Sequence, residues 1–132
     1  MATKVVELGV QRPEPDEIEL WDGWFRVPFR LSDSPAPRWR EFFEEAVKSL
    51  GTPFNRQVFL ERGRDQVVVL LDVGDDLRTV AEAVRALVEH TNRTYREAVE
   101  EEERQMAAEL RRRHELEEGL LQLRRQAEEL SL

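Results

Sequence analysis

Residues 75–118 read DDLRTVAEAVRALVEHTNRTYREAVEEEERQMAAELRRRHELEE, without a single Gly or Pro. This stretch decides the fold, because nothing in it stops a helix once one has begun. Asp75 or Asp76 offers a side-chain oxygen to cap the first turn, just after Val73 and Gly74 leave a strand. Gly119 is the one breaker beyond it, and a helix unbroken to Leu130 would run roughly 80 Å at about 1.5 Å per residue. Ordinary helices run about 8–20 residues. The distal half is therefore expected to project, fold back or pair with another chain.

The two halves of this helix differ in pattern. Val80, Val84, Leu87, Val88 and Tyr95 share one side of the first part, a stripe expected to lie on a sheet. Near the end, Leu116, Leu120, Leu123, Ala127 and Leu130 are spaced 4, 3, 4, 3, the a/d rhythm of a left-handed coiled coil. It lasts about two heptads. Between Val99 and Leu110 the pattern thins, with Glu100, Glu101, Glu102 and Glu103 consecutive, and Arg111, Arg112, Arg113 and His114 interrupt it again. Glu100 with Arg104, Glu109 with Arg113 and Arg124 with Glu128 stand at i,i+4, where each pair supports an exposed helix by about 0.2–0.5 kcal/mol. A short seam with a wet middle is weak as an isolated zipper and gains from anchoring on a globular domain. The alternatives are a solvated helix whose charges keep it in water, and a docking site for a different protein.

Upstream, residues 4–10 alternate as a short strand, and Pro13 and Pro15 among acids mark a loop. Residues 18–31 are strand-like with a change of phase. Ile18 and Leu20 share one parity, whereas Phe25, Val27, Phe29 and Leu31 share the other, so a bulge or tight turn is expected at Asp22 and Gly23. Arg26 and Arg30 fall on the opposite face, and Pro28 belongs to an edge or an unpaired stretch. A Ser or Asp cap among residues 32–34, followed by Pro35 and Pro37, begins a helix. Its stripe is Trp39, Phe42, Phe43, Ala46, Val47 and Leu50, and Gly51 with Pro53 should end it. Residues 57–61 and 66–72 are strands joined by a hairpin at 62–65, and residues 67–71, apolar throughout, suit a central strand.

The string is thus ββαββα, an α+β domain with a small antiparallel or mixed sheet and helices on one face. Without its first strand it is most of a ferredoxin-like split unit, and an N-terminal strand hairpinned onto residues 18–31 would fill the missing place as a circular permutation does. A different two-layer ββαββα sheet fits the same string. Residues 1–92 form the globular domain with the first part of the long helix, and residues 93–132 the charged helical extension.

Composition narrows the function. The chain has 132 residues, net charge −8, 36% charged residues and no Cys, and its lysines are Lys4 and Lys48 alone. The acidic balance argues against a dedicated nucleic-acid binder. Arg111, Arg112 and Arg113 span only part of a turn between acids and make a poor phosphate-binding arm. Disulfides and thiolate metal sites are absent without Cys. The N-terminal residues lack a signal-peptide pattern and no apolar run reaches spanning length, which reads as cytoplasmic with no membrane partner.

Catalysis needs convergent groups. His90 and His114 lie 24 positions apart, about 36 Å along a continuous helix, so they cannot share a metal within one chain. Asp75 with Asp76, Glu44 with Glu45 and the run at 100–103 fall at caps and on exposed faces rather than in a pocket that would split their pKa values. Gly63 and Gly74 are isolated turn glycines without phosphate-loop spacing. Neither an enzyme nor a cofactor is expected. Among the clustered aromatics, Trp21 and Trp24 straddle the parity switch and cannot both join the main apolar face, which makes them candidate exposed binding aromatics.

The reading is a non-catalytic assembly or adaptor module, a homo-oligomer formed through Leu116, Leu120, Leu123, Ala127 and Leu130. The alternatives are a small-molecule-sensing regulatory domain of ferredoxin-like type, by fold analogy, and a module that binds a second protein at the C-terminal helix.

Overall fold

The computed structural model describes residues 5–50 and 57–131. Among these residues, after a single 3-10 turn at Pro15–Glu17, four strands and two α-helices follow one another as β1 (Glu19–Trp21), β2 (Trp24–Arg30), α1 (Pro37–Ser49), β3 (Val58–Glu61), β4 (Gln66–Leu71) and α2 (Leu77–Glu129). The sheet is antiparallel throughout, in the order β1-β2-β4-β3. The string β2-α1-β3-β4-α2 has the connectivity of a ferredoxin-like split unit, and β1, hairpinned onto β2, stands where that unit's fourth strand would lie. Two compact units divide the chain, Val5–Arg96 and a second comprising Glu97–Leu132.

The phase change at Asp22 and Gly23 resolves as a tight turn. Both residues have positive φ, 48° and 84°, the signature of a two-residue type I′ hairpin, for which Asp-Gly is a preferred pair. Trp21 and Trp24 therefore become direct cross-strand partners, and the single strand expected over residues 18–31 becomes two.

The strand expected at residues 4–10 does not form, and Lys4 lies outside the described residues. Only Val10 makes an isolated bridge, to Leu31. β1 pairs with β2 from Trp24 to Arg26, so an N-terminal segment finds that edge open only past the end of β1. There it settles, with Gln11 N–H donating to Arg30 O (2.8 Å) and Ser32 N–H to Gly9 O (2.9 Å). Leu8 is held by a side chain instead of a strand. Asn92 Oδ1 accepts from the Leu8 N–H (3.1 Å), and Asn92 Nδ2 donates to the Leu8 carbonyl (2.8 Å). The same Oδ1 accepts from the Trp39 indole N–H at 3.0 Å, so one buried amide satisfies three buried partners. An ion pair between Arg96 and Glu7 reinforces this attachment.

The core of Val5–Arg96 lies between one sheet face and the helices. Val27 and Phe29 of β2, Val58 of β3, and Val67, Val69 and Leu71 of β4 meet Trp39, Phe43, Ala46 and Val47 of α1 and Val80, Val84, Leu87 and Val88 of α2. Trp39 and Phe43 stack at 5.5 Å between centroids, and Phe42 meets Tyr95 edge-on at 6.2 Å. Leu50, expected to complete the α1 stripe, is exposed at the helix end. α1 begins at Pro37 with Ala36 as a cap that makes no side-chain hydrogen bond, while Asp33 accepts from the Ser34 N–H instead. The stop expected at Gly51 and Pro53 lies outside the described residues. α2 is capped by Asp76, whose Oδ2 accepts from the N–H (3.3 Å) and hydroxyl (2.8 Å) of Thr79. Those bonds, the Thr79 hydroxyl first, hold the Asp76 carboxyl below its ordinary range.

Candidate functional site: the α2 seam and the open sheet face

The unit comprising Glu97–Leu132 is the later part of α2, helical through Gly119 to Glu129. Its residues from 104 to 131 are exposed except for Gly119, which is partly covered. Leu116, Leu120, Leu123, Ala127 and Leu130 all belong to this exposed set, with leucine exposures from 48% at Leu120 to 65% at Leu123 and Leu130. Because the spacing alternates 4 and 3, these side chains form one stripe along the helix. Leu121 is exposed beside it, and Met106 and Leu110 are exposed further upstream.

Charges along this unit pair mostly one turn apart. Arg104 reaches Glu101 at 2.5 Å, Arg112 reaches Glu115 at 3.7 Å and His114 Nε2 lies 3.1 Å from Glu118. The Arg104 hydrogen bond lowers the Glu101 carboxyl pKa, and Glu101 in turn raises that of the guanidinium. Among the described residues, the expected pairs Glu109 with Arg113 and Arg124 with Glu128 do not form, since an ion pair between exposed side chains gains little over their solvation by water.

The sheet of Val5–Arg96 has a second face, opposite the core. Cross-strand register places Glu19, Trp21, Trp24, Arg26, Pro28 and Arg30 there, with Gln66, Val68 and Leu70 of β4 and Phe59 and Glu61 of β3. Both tryptophans thus share the face away from the core. Trp21 is 51% exposed and Trp24 is half-buried. Arg26 bridges from β2 to Glu61 on β3, so the pair passes over Val68 of the intervening β4, which is 0% exposed. The run of apolar residues in β4 is thereby covered on both sides, by helices on one and by this ion pair with Pro28 and Phe59 on the other.

A cleft of about 560 Å³ opens on this face, lined by Glu17, Glu19, Arg26, Arg30, Arg64 and Gln66 with Pro28. Each arginine already has a carboxylate: Arg26 has Glu61 and, at 3.9 Å, Glu19; Arg30 has Glu17; Arg64 has Glu61 at 3.3 Å. An anion entering the cleft must displace one of these, which weakens the site as an anion receptor. Among the described residues no group of His, Asp and Glu could hold a metal ion, and no helix is long and apolar enough to cross a membrane. Sequence reasoning missed the Arg26 bridge; its only signal was the lone Glu at the end of β3, two strands away.

No family model, curated protein or solved structure matches the chain.

Proposed function

We propose that the chain is a non-catalytic assembly or adaptor module that self-associates, as a dimer or higher oligomer, through the end of α2. The observation that supports this is the exposed stripe of Leu116, Leu120, Leu123, Ala127 and Leu130 at a/d spacing. An exposed helix needs none of these leucines for solubility, and a stripe at this spacing is what a second helix covers. The magnitudes set the expected strength. Four seam leucines per chain, each gaining about half of the 1.5–3 kcal/mol of full burial, contribute on the order of 6–12 kcal/mol across two chains. Association costs about 4–15 kcal/mol in lost freedom. The assembly is therefore a reversible one.

Light scattering on the full chain tests this. The expected result is a mass of two or more chains at high micromolar concentration, falling to one chain in a Leu120→Glu/Leu123→Glu variant with unchanged helix content. A wild-type chain of single-chain mass at that concentration would refute self-association. A second reading, docking of a different protein on the open sheet face, is favoured by the exposed Trp21 beside Trp24. It predicts that Trp21→Ala abolishes capture of that protein without changing the mass of the chain alone.

A further inference from the structure

We infer that the second helix on the α2 seam is another copy of this segment running antiparallel, with Glu117 of each copy facing Arg124 of the other. The inference rests on the self-association reading above and adds its direction and register.

The seam assigns Leu116, Leu123 and Leu130 to d positions and Leu120 and Ala127 to a positions. Continued upstream, the same heptad puts Arg113 at a and Glu109 at d. In a parallel, in-register pair each of these meets its own copy. Arg113 would face Arg113 and Glu109 would face Glu109 inside the seam, and the acidic turn at 100–103 would lie beside a second acidic turn. Like charges brought together at an interface oppose association.

Antiparallel helices place a against d instead. Leu120 then faces Leu123 of the second copy, Leu116 faces its Ala127, and Leu130 packs on the aliphatic stem of its Arg113. Neither Glu109 nor the acidic turn meets its own copy. The flanking e positions are Glu117 and Arg124, and in antiparallel pairing e faces e. Two-fold symmetry makes this contact twice, an acid against a base each time. The charges available within the helix agree. Arg112, the base that a parallel pair would set against Glu117, lies 3.7 Å from Glu115 of its own helix, whereas Glu117 and Arg124 have no ion-pair partner among the described residues.

Because the chain contains no cysteine, introduced thiols report the direction. Leu116→Cys and Ala127→Cys variants are oxidised separately and as an equal mixture, and the linked peptides are identified by mass. In the antiparallel pair each thiol lies 11 residues along the axis from its own copy, about 16 Å, which is beyond disulfide reach. The expected result is a cross-link between the two variants in the mixture and none in either alone. Cross-linking of either variant with itself would overturn the direction while leaving self-association in place, and a single-chain mass for the wild type would overturn both. A charge swap gives a second readout. Glu117→Arg and Arg124→Glu should each lower the dimer fraction, and the double variant should restore it; a double variant no better than the singles overturns the pairing even where no thiol cross-links.

Discussion

Val5–Arg96 and Glu97–Leu132 share the α2 helix and hold it by different means. In the first, Val80, Val84, Leu87 and Val88 are buried against a sheet, and Thr91 and Asn92 are buried beside them. In the second, exposure is nearly complete from residue 104 onward. The first stretch tolerates poor helix formers such as Val80, Val84, Val88, Thr91 and Thr94, because packing fixes it. The second contains no β-branched residue after Val99 and is made mainly of Glu, Arg, Leu, Ala and Gln, the strongest helix formers. Where burial is absent, composition and pairs such as Glu101 with Arg104 sustain the backbone instead. Tertiary contacts and intrinsic propensity are interchangeable sources of helix stability, and this chain uses them in turn.

Substitutions should separate the two sources. Phe43→Ala removes a fully buried ring stacked on Trp39 and should cost about 3–5 kcal/mol, read as a large drop in the denaturant midpoint of the globular unit. Asn92→Ala strands the Leu8 N–H and carbonyl and the Trp39 indole N–H, a loss on the order of 3 kcal/mol. Hydrogen exchange would show the Leu8 amide losing its protection first. Gly119→Ala acts in the other unit and in the other direction. A methyl group there would meet nothing within 4 Å, so helix stability should rise by about 1 kcal/mol, seen as a higher melting temperature of the distal helical signal. The smallest effect is the acid dependence of the α2 cap. Asp76 has a lowered carboxyl pKa in the folded chain, so its contribution is complete above the ordinary value of 3.8 and is lost as pH falls through the lowered one. Asp76→Asn keeps a capping oxygen and should flatten that acid slope in thermal unfolding; an unchanged slope would remove Asp76 from the account.

The parts of the fold legible in the sequence are those with a periodic signal. The α1 stripe, the β3-β4 hairpin, the central apolar strand and the acidic cap of α2 all announce themselves through spacing or turn residues. Residues 5–10 mislead for the same reason: Val6, Leu8 and Val10 alternate like a strand, but alternation says nothing about which sheet edge is vacant. β1 occupies most of that edge, and the segment's partner is a lone Asn on a helix, which has no period at all. The parity switch indicated only that Trp21 and Trp24 could not both join the main apolar face, while the type I′ turn that puts both on the opposite side follows from two backbone angles. The exposed α2 stripe was legible because it is pure spacing, whereas the Arg26 to Glu61 bridge depends on strand order and was not.

The Asn92 clamp also imposes an order of events during synthesis. Leu8 and its amide partner are separated by 84 positions, so the N-terminal segment can meet Arg30 and Ser32 long before Asn92 exists to clamp Leu8. At about 5–20 residues per second the wait is roughly 4–17 s, which is long compared with helix or hairpin formation in microseconds. Through that interval the Leu8 N–H and carbonyl lack their native partner. The clamp on Leu8 is therefore among the last contacts of this globule to become available.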